Sequence, residues 1–497
     1  MQLPYVIGVD IGTGSTKAVA VDPQGNVLGT AQHFYGSVTE GRKSEQNVYV
    51  VFGAFQQSIR EVVTSLQQPP AAISLSSAMH SIMALDERGI PLTPAMLWSD
   101  TRASEIAGSL RSSPFGKEIY LATGTPLHSM SPLCKIRWLS GNEPEVFRRA
   151  AKFISIKEFI WLQLFGEFVI DHSLASATGL FNIHSLQWEK TALSFARIKP
   201  QQLSLPVPVT YSKAGIKAEA SNDMNLPAGT PFVIGGSDGT LANLGTLCLS
   251  SSEAAITIGT SAAVRITSTK PVEDVDRMIF NYRLDEKTFV CGGAVNNGGN
   301  VFKWLLESIF ANHTEVKTYE QLLEVISQVA PGSDGLLFLP YLHGERAPIW
   351  DEKSCGVYMG LSAKHTLHHF ARAAAEGVCF ALQHVLSSLE EVCGAVQQIT
   401  ISGGLVQSAA IMQLLADITG KKLEVQQNDD ASAIGAAYLA QKAIGIIDEY
   451  ASIKKGEAVY FLPQQGVTAQ YQRLIPMYKA LYPLLKDQMH LLHQLHH

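Results

Sequence analysis

The sequence predicts an α/β protein built twice on one plan, each half a mixed sheet flanked by helices. Three observations carry this. Val6–Asp22 holds two short apolar runs around a Gly-Thr-Gly-Ser turn, and Glu253–Ile266 repeats the pattern around Gly259-Thr260-Ser261. Each pair of runs is followed by helical stretches and a short buried strand that opens a turn. At 497 residues the chain exceeds one hydrophobic core, so two domains are expected, 1–246 and 247–497.

The first half opens with strand, glycine turn, strand and a further strand across residues 5–35. Turn glycines let backbone N–H groups converge on an anion, and Thr13, Ser15 and Thr16 add hydroxyl donors. Asp10 ends the first run and faces the same space, where it can hold Mg²⁺ directly or through water. Two other phosphate motifs fail: there is no Gly-x4-Gly-Lys-Ser/Thr run, and Gly12-Thr-Gly14 lacks the third glycine of a dinucleotide fingerprint. The bland alternative is a tight hairpin whose glycines serve geometry alone.

A buried strand follows at Ala72–His80, and Pro206–Gly229, rich in Pro, Ala and polar residues, reads as a surface connection. An apolar strand from Val233 then delivers Asp238 into a glycine-flanked bend. Phosphoryl transfer needs an oriented nucleophile and neutralised phosphate charge, so Asp238 is the candidate general base. The competing reading is an Asp capping the next helix.

The second half repeats the hairpin and adds strands within 254–295. Its Gln398–Gly404 strand ends in Ser402-Gly403-Gly404, where bare backbone can approach a flat nucleoside beside a helix start. Helical spacing marks Asn300–Phe310, His365–Val392, Ser408–Thr419 and Tyr471–Leu495, with Pro483 setting a kink or break in the last. His490, His493, His496 and His497 read as a solvated tail.

Composition excludes several classes. Hydrophobic residues make up 46% and charged residues 16%, which suits large buried surfaces rather than disorder. Net charge is −6 with no long basic run, so nucleic acid is not an expected partner. No apolar stretch nears the ~20 residues of a membrane span. The six cysteines show no Cys-x-x-Cys pair, and Asp10 stands where a signal peptide is apolar, so a cytoplasmic chain without structural zinc is expected. Oligomeric state is left open, a homodimer among the options.

The succession of first hairpin, Gly235-Gly-Ser-Asp-Gly239, second Gly-Thr hairpin and Gly-Gly turn resembles the FGGY carbohydrate kinases of the actin-like ATPase (ribonuclease H-like) superfamily. The resemblance runs to about residue 485. It implies two domains, each with a mixed five-stranded sheet, closing on ATP and sugar in the cleft between them. Ala431–Tyr438 looks like the family's second connecting helix.

By that resemblance Asp10 manages the Mg²⁺–phosphate end, and Gly12, Thr13, Ser15, Gly259 and Thr260 meet the ATP phosphates. Gly403 and Gly404 line the adenosine site with Gly299 and Lys303 nearby. Ser408 stands where many members have Asn, which shortens the donor expected there. Met79 and His80 match the family position that touches substrate. Glycerol kinases carry Arg-Glu there, whereas the Met-His pair is shared by xylulose and gluconate kinases. Trp98, Asp100 and Arg102 offer an aromatic face, a carboxylate and a guanidinium, or equally a helix cap with a surface salt bridge, and Arg346 is a second cation for a substrate carboxylate or equally a holder of its own loop.

Longer segments, namely Thr123–Pro132, Ile156–Phe159, Asp171–Gly179 and Pro340–Trp350, look most like the gluconate kinases. The implied activity is ATP-dependent phosphorylation of a sugar acid. A pentulose kinase is the alternative within the class, and a non-catalytic actin-like nucleotide switch the alternative outside it.

Overall fold

The computed structural model describes residues 4–426 and 430–496. They form two compact units that do not follow chain order. The first comprises 1–247, 268–290 and 430–455; the second comprises 248–267, 291–429 and 456–497. The first break falls beside the expected 246/247 boundary, but two later segments return to the first unit.

In the first unit the strands are β1 (Val6–Ile11), β2 (Ser15–Val21), β3 (Val27–Phe34), β4 (Ala72–Ser77), β5 (Ser212–Lys213) and β6 (Phe232–Ser237), in the order β5-β6-β4-β1-β2-β3. β1 runs antiparallel to β2 and parallel to β4, and β4 runs parallel to β6. Helix α1 (Val48–Leu66) starts on the Asn47 cap and buries Val51, Phe55, Ile59 and Val62, an i, i+4, i+8, i+11 stripe. That stripe and the apolar residues of β1 share one core with Trp161 and Phe159.

Three further helices matter to the site. They are α2 (Pro132–Asn142), α3 (Ile156–Phe165), opened by a Ser155/Glu158 capping box, and α4 (His172–Ser176), capped by Asp171. α5 (Asp238–Gly245) follows β6 directly. The expected surface connection is partly ordered, holding β5 and a helix at Ala218–Met224.

In the second unit the strands are β7 (Glu253–Ile258), β8 (Ala262–Ser268), β9 (Phe289–Val295), β10 (Gln398–Ser402), β11 (Lys422–Gln426) and β12 (Ala458–Phe461), in the order β9-β8-β7-β10-β11-β12. β7 is antiparallel to β8 and parallel to β10, β10 is parallel to β11, and β12 is antiparallel at the edge. The plan of the first sheet is thus repeated. Both sheets exceed the five expected strands, the first with six and the second with seven, Phe280–Arg283 among them. Helices α6 (Gly299–Trp304), α7 (Leu367–Cys393) and α8 (Ala409–Thr419) fall close to the periodic segments. A π turn at Leu305–Ile309 extends α6.

The chain re-enters the first unit with α9 (Ala431–Ala443), the segment resembling a connecting helix. Its path requires glycine. A Cβ on Gly8 would lie 1.8 Å from Ala433 O, one on Gly245 1.9 Å from Ala431 O, and one on Gly435 1.9 Å from Leu241 O. α9 therefore touches β1 and α5 backbone to backbone.

The last helix, α10 (Gln465–His496), continues through Pro476 and Pro483 with no break. Tyr471, Ile475, Tyr478 and Leu481 are buried on it, and their packing outweighs the local cost of proline. His490 is no solvated tail residue, because its Nε2 lies 2.7 Å from Asp351 Oδ2. His497 lies outside the described residues.

Candidate active site

Because β1, β4 and β6 are parallel neighbours, their carboxyl ends share one edge of the first sheet, where open α/β sheets place ligands. Asp10 stands opposite Ser76, and Ser237 opposite Ser77. Asp10, Met79-His80 and Asp238 therefore leave three adjacent strands at the same end.

Asp10 accepts the Ser76 hydroxyl at 2.7 Å. Burial, with the Asp238 and Asp430 charges alongside, pushes its carboxyl up to about 7, against the Ser76 bond and Lys17. Lys17 itself pairs with Asp430, which α9 brings in. The bend closes through Gly12 N–H to Ser15 O at 2.9 Å, and the Tyr35 hydroxyl donates to Gly12 O at 2.7 Å. Trp98 Nε1–H donates to Thr13 Oγ1 at 3.1 Å, and Gln32 Nε2–H to Ser15 Oγ at 2.7 Å. Both hydroxyls serve as acceptors within the protein and retain their own hydrogens to donate.

Asp238 is half-buried in the first turn of α5, where the helix dipole favours an anion. Its Oδ1 accepts from Gly239 N at 2.7 Å, so the residue both braces the helix start and sits at the sheet edge. Ser237, not Asp238, occupies the cap position.

Past the end of β4 His80 has φ 68°, an uncommon conformation for a residue with a side chain. Its Nδ1 lies 2.8 Å from Ala177 O and its Nε2 3.5 Å from the Tyr282 hydroxyl. Lys135 is fully buried and donates to His80 O at 2.8 Å and Leu97 O at 2.5 Å, tying the His80 and Trp98 turns together. Burial pulls its pKa down to about 7.

Arg102 corrects an expectation. Its guanidinium is held by Asp100 (Nη2–Oδ2 2.7 Å) and Glu45 (Nη2–Oε1 2.5 Å) over the Trp138 ring. Two carboxylates already neutralise it, so it is a braced structural cation, and Asp100 turns inward to Ser44 N and Arg102.

In the second unit the Gly259–Ser261 bend is backed by backbone. Gly299 N–H donates to Gly259 O at 2.8 Å, and a Cβ on Gly299 would lie 2.7 Å from that oxygen. Gly403 has φ 99°, and a Cβ there would lie 2.5 Å from Ile258 O, whereas Gly404 faces open space. Gly259, Thr260, Gly299 and Gly403 are thus gathered at one place.

Ser408 caps α8 by accepting from Ile411 N at 3.3 Å. Lys303 lies exposed, 3.8 Å from Glu307. Arg346 is buried, and its Nη2–H donates to Val295 O at 3.1 Å. Beside it Glu345 accepts from Asn296 N, Asn297 Nδ2 and Arg346 N, so the Pro340–Trp350 segment folds onto the chain just before Gly298. In this structure Arg346 acts as a loop holder.

Sequence reasoning missed Ser76, Glu45, Lys135, Tyr282 and the Lys17–Asp430 pair. Only the strand register could have found Ser76, and no local signal marks the others.

This topology and edge of functional groups define a two-unit α/β kinase. Residues 5–245 match the N-terminal domain, and 254–444 the C-terminal domain, of the FGGY family of carbohydrate kinases. The chain belongs to that family, whose members transfer phosphate to sugar hydroxyls. It is 39% identical to a gluconokinase of Bacillus subtilis (strain 168) over 97% of this chain and 96% of that one. It is 29% identical to a xylulose kinase of Lactococcus lactis over 99% of each. Among solved structures it is similar to a gluconate kinase from Lactobacillus acidophilus, with TM-score 0.92 and 33% identity over 97% of this chain and 98% of that one. A ligand-bound xylulose kinase from the same organism gives TM-score 0.92 and 33% identity, over 97% and 99%.

Proposed function

We propose that the chain is an ATP-dependent gluconate kinase, transferring the γ-phosphate of ATP to the C6 hydroxyl of D-gluconate to give 6-phosphogluconate and ADP. Fold likeness favours neither gluconate nor xylulose, since both solved relatives superpose equally. The observation that carries the substrate is sequence identity, 39% to a gluconokinase against 29% to a xylulose kinase. Membership of a carbohydrate-kinase family leaves the nucleotide-switch alternative without support.

In this reading the Asp238 carboxylate accepts the proton of the C6 hydroxyl as that oxygen attacks the γ-phosphorus in line and ADP leaves. The Gly12–Ser15 and Gly259–Ser261 bends donate N–H and O–H groups to phosphate oxygens. Met79, His80 and Trp98 are assigned to the sugar. Lys303, exposed and near Glu307, has no support here as a nucleotide contact.

The residues present suit Mg²⁺. Among the described residues no group of three or more His, Cys, Asp or Glu side chains could hold a metal as a ready cage, and Mg²⁺ commonly takes one or two carboxylates with phosphate oxygens and waters. Asp10, its charge disfavoured by burial and two neighbouring acids, is the residue that would hold it, directly or through water. Bound there, the cation would offset the negative charge of the phosphates.

No disulfide joins the six cysteines, and among the described residues no helix is long and apolar enough to cross a membrane. The first point supports a reducing, cytoplasmic setting.

The test is ADP release from ATP with gluconate, D-xylulose, L-ribulose and glycerol. Gluconate is expected to give the highest kcat/KM. A higher value for xylulose would replace the substrate assignment, and sugar-independent ADP release alone would remove the kinase mechanism.

A further inference from the structure

The strand that delivers Asp238 is irregular just before it. Register against β4 shifts between Val233 and Gly236, so β6 bulges there. Gly235 carries the bulge at φ 74°, and a Cβ on it would lie 1.9 Å from Leu75 O. The ladder resumes at Gly236, opposite Ser76, so Gly236 is where the chain leaves the bulge and turns towards Asp238.

A buried lysine holds the chain at that point. Lys157 of α3, 1% exposed, donates from Nζ to Gly236 O at 2.8 Å and lies 2.6 Å from Asp171 Oδ2, itself wholly buried. Asp171 Oδ1 accepts from Leu174 N at 2.8 Å, which fixes α4. From α4, Ser173 Oγ accepts from Ser237 N at 3.1 Å and bonds the Thr240 hydroxyl at 2.8 Å. One buried network therefore grips the chain at Gly236, Ser237 and Thr240, on both sides of Asp238. Burial favours the neutral amine of Lys157, while Asp171, Glu158 and Asp238 oppose that loss of charge.

We propose that Lys157 is a positioning residue for phosphoryl transfer, its ammonium holding the bulged Gly235-Gly236 backbone so that the Asp238 carboxylate stays aimed at the acceptor hydroxyl. The proposal rests on Asp238 being the base. A simple ion pair would matter only to stability, and replacing a buried pair with neutral groups often leaves stability intact. A positioning lysine behaves otherwise, because the chain beside the bulge still loses the Nζ contact at Gly236 O, and a shift of about 1 Å can cost ~100-fold in rate.

The experiment measures kcat, KM for ATP and gluconate, and Tm for Lys157→Met, Lys157→Met/Asp171→Asn and Ser173→Ala. Asn at 171 keeps an oxygen for Leu174 N. Lys157→Met is expected to lose at least ~10-fold in kcat with KM for ATP within about twofold, and to lower Tm. The double variant is expected to regain Tm while kcat stays low. Ser173→Ala is expected to lower kcat by about threefold.

Return of kcat together with Tm in the double variant, or undiminished kcat in Lys157→Met, overturns the proposal. If neither Lys157 variant folds, unchanged kcat in Ser173→Ala overturns it. Asp238→Asn, run beside them, separates the two ideas. Near-normal turnover there removes the base assignment, whatever the Lys157 variants show.

Discussion

The two Gly-Thr hairpins share a frame and differ in chemistry. Asp10 and Thr257 each stand two residues before the bend glycine, opposite a serine on the parallel neighbour, Ser76 and Ser402 respectively. Both cross-strand pairs are hydrogen bonded, at 2.7 and 3.1 Å. The first bend is held by side chains, Tyr35, Gln46 and Trp98, whereas the second is packed by Gly299 and Gly403. Beyond the parallel strand the first unit puts His80 at positive φ and the second puts Gly403 there. Duplication kept the backbone and divided the labour. Charge and side chains gathered in one copy, while the other kept a neutral, unobstructed backbone suited to a phosphate or a flat ring.

Substitutions at matched positions sharpen or break this contrast. The largest effect is expected at Asp238, which has no counterpart in the second bend. Asp238→Asn should lower kcat by ~10²–10⁴ while calorimetry shows ATP binding kept, and full turnover would end the assignment. Next comes the matched pair. Asp10→Asn should cost ~100-fold in kcat and Thr257→Val less than about threefold, since only the former removes a charge from the site. Equal losses would mean the two hairpins are chemically alike.

Gly403→Ala should raise KM for ATP by about tenfold and lower stability by at least ~1–2 kcal/mol, because its positive φ is strained for alanine and its Cβ meets Ile258 O. Gly14→Ala, whose Cβ would meet nothing within 4 Å, should shift Tm little.

A last effect, on stability in the metal-free protein rather than on turnover, concerns pH. The Asp10 carboxyl is raised from 3.8 to about 7 in the folded chain. Between those values the native state holds a proton that the unfolded chain has released. Its contribution is therefore full below pH 4 and lost as pH rises through 7, at about 1.4 kcal/mol per unit of pKa shift. Urea titrations of the metal-free protein should show this slope flattened in Asp10→Asn and retained in Thr257→Val.

Much of the frame was legible in the sequence. Both hairpins follow from alternation around Gly-Thr, and α7 and α8 from apolar residues at helical spacing, because these signals are local. Of the candidate site, residue type alone singled out Asp10, Asp238 and the glycine bends, and the strand register brings the two acids to one sheet edge. The site was illegible where function depends on partners far along the chain. Arg102 looked like a cation for a substrate carboxylate, but Glu45, far earlier in the chain, pairs with it alongside Asp100. Lys157 and Asp171 sat in segments marked only by resemblance, and their roles emerge from the β6 bulge. Pro483 signalled a break that the buried face of α10 overrides.

The placement of α9 has a consequence for biosynthesis. Gly8 on the opening strand makes its tightest backbone approach to Ala433, a residue far downstream in the chain. The amino-terminal half therefore emerges from the ribosome with one flank of its sheet bare, and it must wait, exposed to misassembly, until α9 has been made.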